Sequence, residues 1–118
     1  MLLIFFGRSS MLGTRYQATE FEAVNYSGSA TEADARQLGE MLKQVGFFTG
    51  EKRGDVLLRR DDNGTAVSFV LGSGWNNPEI VDSFKVMARA MTDAGWPAPF
   101  TVRLIDKNLN VKNEFVVE

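Results

Sequence analysis

Apolar residues recur at helical spacing in two stretches of the chain. In the first stretch they share one side of a helix and comprise Leu38, Met41, Leu42 and Val45. Thr31 precedes this stretch as a good N-cap, and Asp34 lies three residues on, where the acid of a capping box lies. Gly46 predicts the end of the helix, because glycine adopts the left-handed conformation at little cost.

The second helical stretch is predicted to run from about Pro78 to Ala94. Its broad apolar face comprises Ile80, Val81, Phe84, Met87, Ala88 and Met91. Asn77 is the predicted N-cap, and Pro78 lies in the first turn, where a missing N–H costs nothing. Gly95 followed by Trp96 and Pro97 predicts the end of this helix.

The segments between and around the helices have the patterns of strands. Residues 13–26 look extended, but their alternation changes phase near Glu20, which predicts either a bulge or two short strands. Asp61 to Gly64 is a hairpin-turn signal between the predicted strands 55–60 and 65–71. Two further strands are predicted over 101–106 and 111–117.

The predicted order is therefore β-α-β-β-α-β-β, and its first six elements match a ferredoxin-like domain. We predict an α+β, two-layer sandwich with an antiparallel sheet, both helices on one face and an extra C-terminal strand. The predicted single domain covers residues 16–118, and residues 1–15 are predicted to be an N-terminal tail or an extra strand. The face of the sheet that the helices leave uncovered is a candidate interface. Four residues are predicted to lie on it: Ser68, Val70, Arg103 and Ile105. Of these, Val70 and Ile105 are predicted to be partly exposed.

The amino-acid composition excludes several kinds of functional site. The chain has 118 residues, no cysteine and no histidine, so disulfides, thiolate catalysis and nearly all transition-metal ligand sets are excluded. A net charge of −2 disfavours nucleic-acid binding by bulk electrostatics. Asp61 and Asp62 lack the spacing of the acids in a calcium-binding loop. Glu20 and Glu22 could form a pair of acids for general acid–base catalysis, but no substrate cleft is predicted around them. We therefore expect no catalytic residues, no metal and no cofactor.

The stretch LGSGWNNPEIV places glycines between a strand and a helix, which is an arrangement that can bind a phosphate. It lacks both common phosphate-loop patterns, Pro78 removes one donor, and Glu79 brings a negative charge to the helix start. A flexible turn is the favoured interpretation, with anion binding and a contact role for Trp75 as alternatives. The residues that carry these alternatives are Gly72, Ser73, Gly74, Trp75, Asn76 and Asn77.

The N-terminus carries the apolar run Leu2 to Phe6. This run is too short to cross a bilayer, which needs about 20 residues. No basic region precedes it, as one would in a complete signal peptide. A strand, a tail and the trimmed end of a membrane anchor are the alternatives, so membrane attachment is expected only in the last case.

Three segments together resemble an uncharacterised bacterial α+β module: YSGSATEADARQLGEMLKQVGFF, DVLLRRDDNGTAVSFVL and TVRLIDKNLNVKNEFVV. Proteins of this kind tend to carry such a segment after a membrane anchor or another domain. The resemblance covers residues 26–117 and implies a bacterial source and membrane attachment. It implies no functional residue.

From these patterns we expect a non-catalytic protein-interaction or accessory domain, working through the uncovered sheet face or the loop around Trp75. A protein partner or a second copy of the chain is the expected ligand, and homodimerisation through that face or an edge strand is one expectation. The alternative is a small-ligand or anion-binding regulatory domain that uses residues 72–77. Cytoplasmic location is the default expectation, and a membrane-attached soluble domain is the alternative.

Overall fold

The computed structural model describes residues 13–118, and the alternatives for the run Leu2 to Phe6 lie outside the described residues. Eight elements follow one another along the described chain, in the order β1 (Thr14–Gln17), β2 (Glu22–Gly28), α1 (Glu32–Gln44), β3 (Gly54–Asp61), β4 (Gly64–Val70), α2 (Pro78–Asp93), β5 (Phe100–Ile105) and β6 (Val111–Val117). The extended segment at the start is thus two strands, the second of the two alternatives that the phase change predicts. Because β1 spans Thr14 to Gln17, it crosses the predicted boundary between residues 15 and 16.

The six strands form one sheet in which spatial order equals sequence order, β1-β2-β3-β4-β5-β6. Three antiparallel hairpins, β1–β2, β3–β4 and β5–β6, are joined by two parallel pairs, β2–β3 and β4–β5. Each parallel pair is connected by one helix, as parallel neighbours require.

The predicted ferredoxin-like, antiparallel sheet is therefore wrong, although the α+β class is correct. A ferredoxin-like sheet is built from split β-α-β units. Here β2 and β3 are direct neighbours, as are β4 and β5, so both units are unsplit and the sheet is mixed. An extra hairpin strand, β1, also takes the edge beside β2.

Both helices pack on the same face of the sheet. The core on that face contains Val24, Val56, Phe69 and Leu104, which lie side by side in the register of the four central strands. Leu38 and Leu42 of α1 and Phe84 and Met91 of α2 belong to the same buried cluster. The opposite face carries no helix from the described part of the chain, and we call it the open face.

Local signals set the helix ends. Thr31 and Asp34 form the predicted capping box, and Asn77 accepts hydrogen bonds from the N–H groups of the first turn of α2. Each helix ends in a Schellman motif, because Phe47 N–H donates to the Leu42 carbonyl and Trp96 N–H donates to the Met91 carbonyl, both at 2.9 Å.

Candidate interaction surfaces

A groove of about 840 Å³ lies on the open face, and we call it the open-face groove. Its floor is formed by Asn25 of β2, Leu57 of β3 and Val70 of β4. Its two ends are the turn before β2, with Phe21, and the turn after β5, with Leu109. Three strand spacings, roughly 14 Å, separate β2 from β5, the strands next to these turns.

The rim of the open-face groove is mainly basic. Arg15, Arg53 and Lys107 line it together with one acid, Asp55. Asp55 pairs with Arg15 at 3.3 Å. Arg53 and Lys107 are exposed and form no ion pair with any residue of the described range. The rim therefore presents uncompensated positive charge, although the chain as a whole is acidic.

Leu109, at one end of the open-face groove, is held in an unfavourable backbone conformation. Leu109 has φ 70°, the left-handed region that bulky residues rarely adopt. Asp106 enforces the turn, since its carboxylate accepts hydrogen bonds from the N–H groups of Asn108 and Asn110, both at 2.9 Å. The hydrogen bond from Asn110 also lowers the pKa of Asp106. Leu109 thus lines the groove at a conformational cost.

At the other end of the open-face groove, a buried carboxylate holds the turn before β2 in place. Glu22 is 4% exposed, and its side chain accepts hydrogen bonds from the N–H groups of Thr49 and Gly50 at 3.1 and 2.7 Å. The Thr19 hydroxyl donates to the same carboxylate at 2.8 Å. Glu22 therefore ties the β1–β2 turn to the loop before β3, and this turn presents Phe21, which is 41% exposed.

Glu20 and Glu22 do not form an acid pair in a cleft. Glu20 lies in the turn and is exposed, whereas Glu22 is buried and accepts hydrogen bonds from two backbone N–H groups and the Thr19 hydroxyl. Within residues 13–118 no cluster of acidic side chains is arranged to hold a metal ion.

The four residues predicted for the uncovered face do point to the open face, but one of them, Ile105, is more buried than expected. Ile105 is 3% exposed, so its predicted partial exposure is wrong, while Val70 is half-buried as expected. Ser68 is buried beside Leu57, and Arg103 pairs with Glu114 at 3.3 Å. Of the four, only Val70 lines the open-face groove. Sequence reasoning missed the two turns that close the groove, since only the strand order brings them to the same face.

The predicted loop, residues 72–77, is engaged in structural contacts. Trp75 is half-buried, its indole N–H donates to the Leu71 carbonyl at 3.2 Å, and its own carbonyl accepts from Asn113 at 2.9 Å. Lys112 lies 5.1 Å from the centre of its ring. Gly72, Ser73 and Asn76 lie in the exposed part of the loop.

The start of α2 offers few donors to an anion. The Asn77 side chain already accepts from the N–H groups of Glu79 and Ile80, and Pro78 has no N–H. Gly74, at φ 86°, lies against Ile80, since a Cβ on Gly74 would approach the Ile80 side chain to 2.5 Å. These contacts give no support to a phosphate cradle.

A second, smaller groove of about 370 Å³ lies between α2 and the edge strand β6, and we call it the edge groove. The α2 side is lined by Lys85, Arg89 and Thr92, and the β6 side by Phe115, Val116, Val117 and the following Glu118. Lys85 Nζ lies 5.6 Å from the centre of the Phe115 ring.

No protein-family model, no curated protein and no solved structure matches the chain. A proposal about its function therefore rests on the fold and the two grooves. The resemblance to a bacterial α+β module stays a prediction. Among the described residues, no helix has the length and apolar character needed to cross a membrane.

Proposed function

We propose that the chain is a non-catalytic protein-interaction domain whose open-face groove binds an acidic, amphipathic helix of a partner protein. The observation that carries this proposal is Leu109, which is held at φ 70° where its side chain lines a groove rimmed by unpaired cations. Backbone strain of this kind persists only where the surrounding structure enforces it, as Asp106 does here, and it clusters at functional sites.

The dimensions and charge of the groove support this choice of ligand. A helix with its side chains is about 10 Å across, and β2 and β5, the strands next to the two turns, are roughly 14 Å apart. The apolar side of a helix would meet Phe21, Val70 and Leu109, and acidic residues would meet Arg53 and Lys107. This is the helix-in-groove mode of recognition, with charge complementarity at the rim.

The experiment is a selection from a displayed library of random peptides of helix-forming length, followed by binding measurements on the selected peptides. We expect peptides enriched in acidic and apolar residues. Arg53→Glu should weaken their binding roughly tenfold, because it reverses a charge at the rim. Lys52→Glu is the matched control: it makes the same charge change one residue away, outside the groove lining, and should leave binding nearly unchanged.

Leu109→Asn separates binding from folding. Asparagine tolerates the left-handed conformation, so the variant should be at least as stable as the parent chain. It also removes the apolar side chain from the groove and should weaken the selected peptides. Peptides that bind Arg53→Glu and Leu109→Asn as well as they bind the parent chain would overturn the proposal.

A further inference from the structure

We propose that the edge groove is a second binding site, at which an extended acidic segment of a partner protein adds to β6 as a seventh strand. This site is separate from the open-face groove, since the two share no lining residue. The inference starts from the position of β6, which among the strands of residues 13–118 has a sheet neighbour, β5, on one side only.

The free side of β6 offers backbone groups for pairing. The Ile105 carbonyl accepts from Leu71 N–H on the β4 side, so Arg103, two residues earlier, also directs its backbone groups away from β6, and the Arg103–Glu114 pair is not hydrogen-bonded. Glu114 N–H donates to the side chain of Asn113 at 2.9 Å. In an antiparallel ladder such pairs alternate with hydrogen-bonded ones. The N–H and C=O groups of Val116, two residues on, therefore also point away from β5, and Val116 itself is 59% exposed.

The side chains beside this edge select the ligand. Phe115 and Val117 face the helices, because they pair with the core residues Val102 and Phe100. An added strand would place alternate side chains on the same face, next to Lys85 and Arg89. These two cations form no ion pair within the described residues, and they outnumber the one acid of the groove lining, Glu118, so the groove favours an acidic side chain at that position.

A second copy of the chain fits this site less well than a different protein does. If β6 paired with β6 of another copy, the side chains brought to the helix face would be Asn113, Phe115 and Val117. None of them is acidic, so Lys85 and Arg89 would gain no partner. Strand addition by an acidic segment instead combines main-chain hydrogen bonds with charge recognition.

The probe is a synthetic peptide of alternating glutamate and valine residues, titrated into the isotopically labelled full chain. We expect chemical-shift changes at the amides of Glu114, Phe115 and Val116, and binding that weakens as salt is added. A peptide of alternating lysine and valine is the control and should not bind. Equal binding of both peptides, or changes confined to the open-face groove, would overturn the proposal.

Charge reversal on α2 tests the groove itself. The double variant Lys85→Glu with Arg89→Glu should bind the glutamate peptide roughly tenfold more weakly, since two exposed ion pairs are lost. Lys52→Glu, on the loop before β3, should bind it normally. Thermal unfolding of each variant checks that the fold is kept, and unchanged binding by a folded double variant counts against the site.

The strand-addition geometry has its own test. Peptides N-methylated at alternate residues lose the donors of one edge, so one of the two methylation patterns should abolish binding. Binding by both patterns would exclude strand addition. A chain that sediments as a dimer, with the Val116 amide protected from exchange, would show that a second copy covers β6 and would also overturn the proposal.

Discussion

The two edges of the sheet differ in how the nearest helix meets them. At one edge, α1 approaches β1 closely, because Gly39 has no side chain and the Tyr16 ring takes that space. At the other edge, α2 carries Lys85 and Arg89 on the side that faces β6, and a groove remains. The edge strands differ too: β1 is short and polar, whereas β6 is longer and exposes Val111 and Val116. One edge is closed by packing, and the other is left available.

This comparison shows that an edge is protected by its whole surroundings, not by its strand alone. Gln17 of β1 donates to the Thr19 carbonyl at 2.8 Å, which folds the following turn against the strand. Arg36 of α1 lies 6.0 Å from the centre of the Tyr16 ring and covers it. Short, polar and covered edges resist pairing with other chains.

The largest effect is expected at Glu22, which fixes the turn after β1. Glu22→Gln should lower the free energy of unfolding by about 3 kcal/mol, because it removes the buried charge and replaces one of the two accepting oxygens, which bind Thr49, Gly50 and Thr19, with an NH2 group that cannot accept. Chemical denaturation measures this loss.

Glu114→Gln makes the same change at the other edge and is the control. Glu114 is exposed and, within the described part of the chain, forms an ion pair with Arg103 alone, so its loss should stay within about 0.5 kcal/mol. Similar losses at the two positions would show that the two edges do not differ in the way described.

A smaller effect is expected where α1 meets β1. Gly39→Leu should lower the free energy of unfolding by about 2 kcal/mol, because even a Cβ at this position lies 3.1 Å from Ala18 and 3.3 Å from the Tyr16 ring. Lys85→Leu places the same side chain beside β6, where the edge groove has room, and should not destabilise the fold. A Gly39→Leu variant as stable as the parent would mean that α1 does not close its edge by close packing.

The smallest expected effect is on the pH dependence of the free energy of unfolding, to which the N-terminal caps of α1 and α2 should contribute differently. Partial burial raises the pKa of Asp34, but the hydrogen bonds from Thr31 and the Arg60 guanidinium, at 2.9 Å, outweigh it and leave the pKa below 3.8. Because the folded-state pKa is lowered, the stabilisation is complete above pH 3.8 and is lost as the pH falls through the folded-state value.

Asp34→Asn should therefore cost about 1 kcal/mol at neutral pH. The difference in unfolding free energy between parent and variant should shrink on acidification. Asn77 caps α2 with an uncharged amide, so Asn77→Ser should show a cost that does not depend on pH. A constant gap between Asp34→Asn and the parent across the acid range would argue against the Asp34–Arg60 contact.

Much of the local structure was predictable, because local interactions decide it. The capping box at Thr31, the cap at Asn77, the hairpin at Asp61–Gly64 and the bounds of β6 all agree with the sequence patterns. The candidate site was less predictable. Val70 was expected to be half-exposed and is so, but Ile105 is buried, and the loop around Trp75 is tied to β6 through Asn113.

The sequence by itself determined the element types, their capped ends and the chemistry that the missing cysteine and histidine exclude, because each of these depends on residue identity and near neighbours. Only the tertiary structure decided which strands are adjacent. The same element order is compatible with split and unsplit β-α-β units, and the choice rests on packing between residues far apart in the chain. That choice brings Phe21 and Leu109 to one face, buries Glu22, and leaves β6 as the open edge beside Lys85 and Arg89.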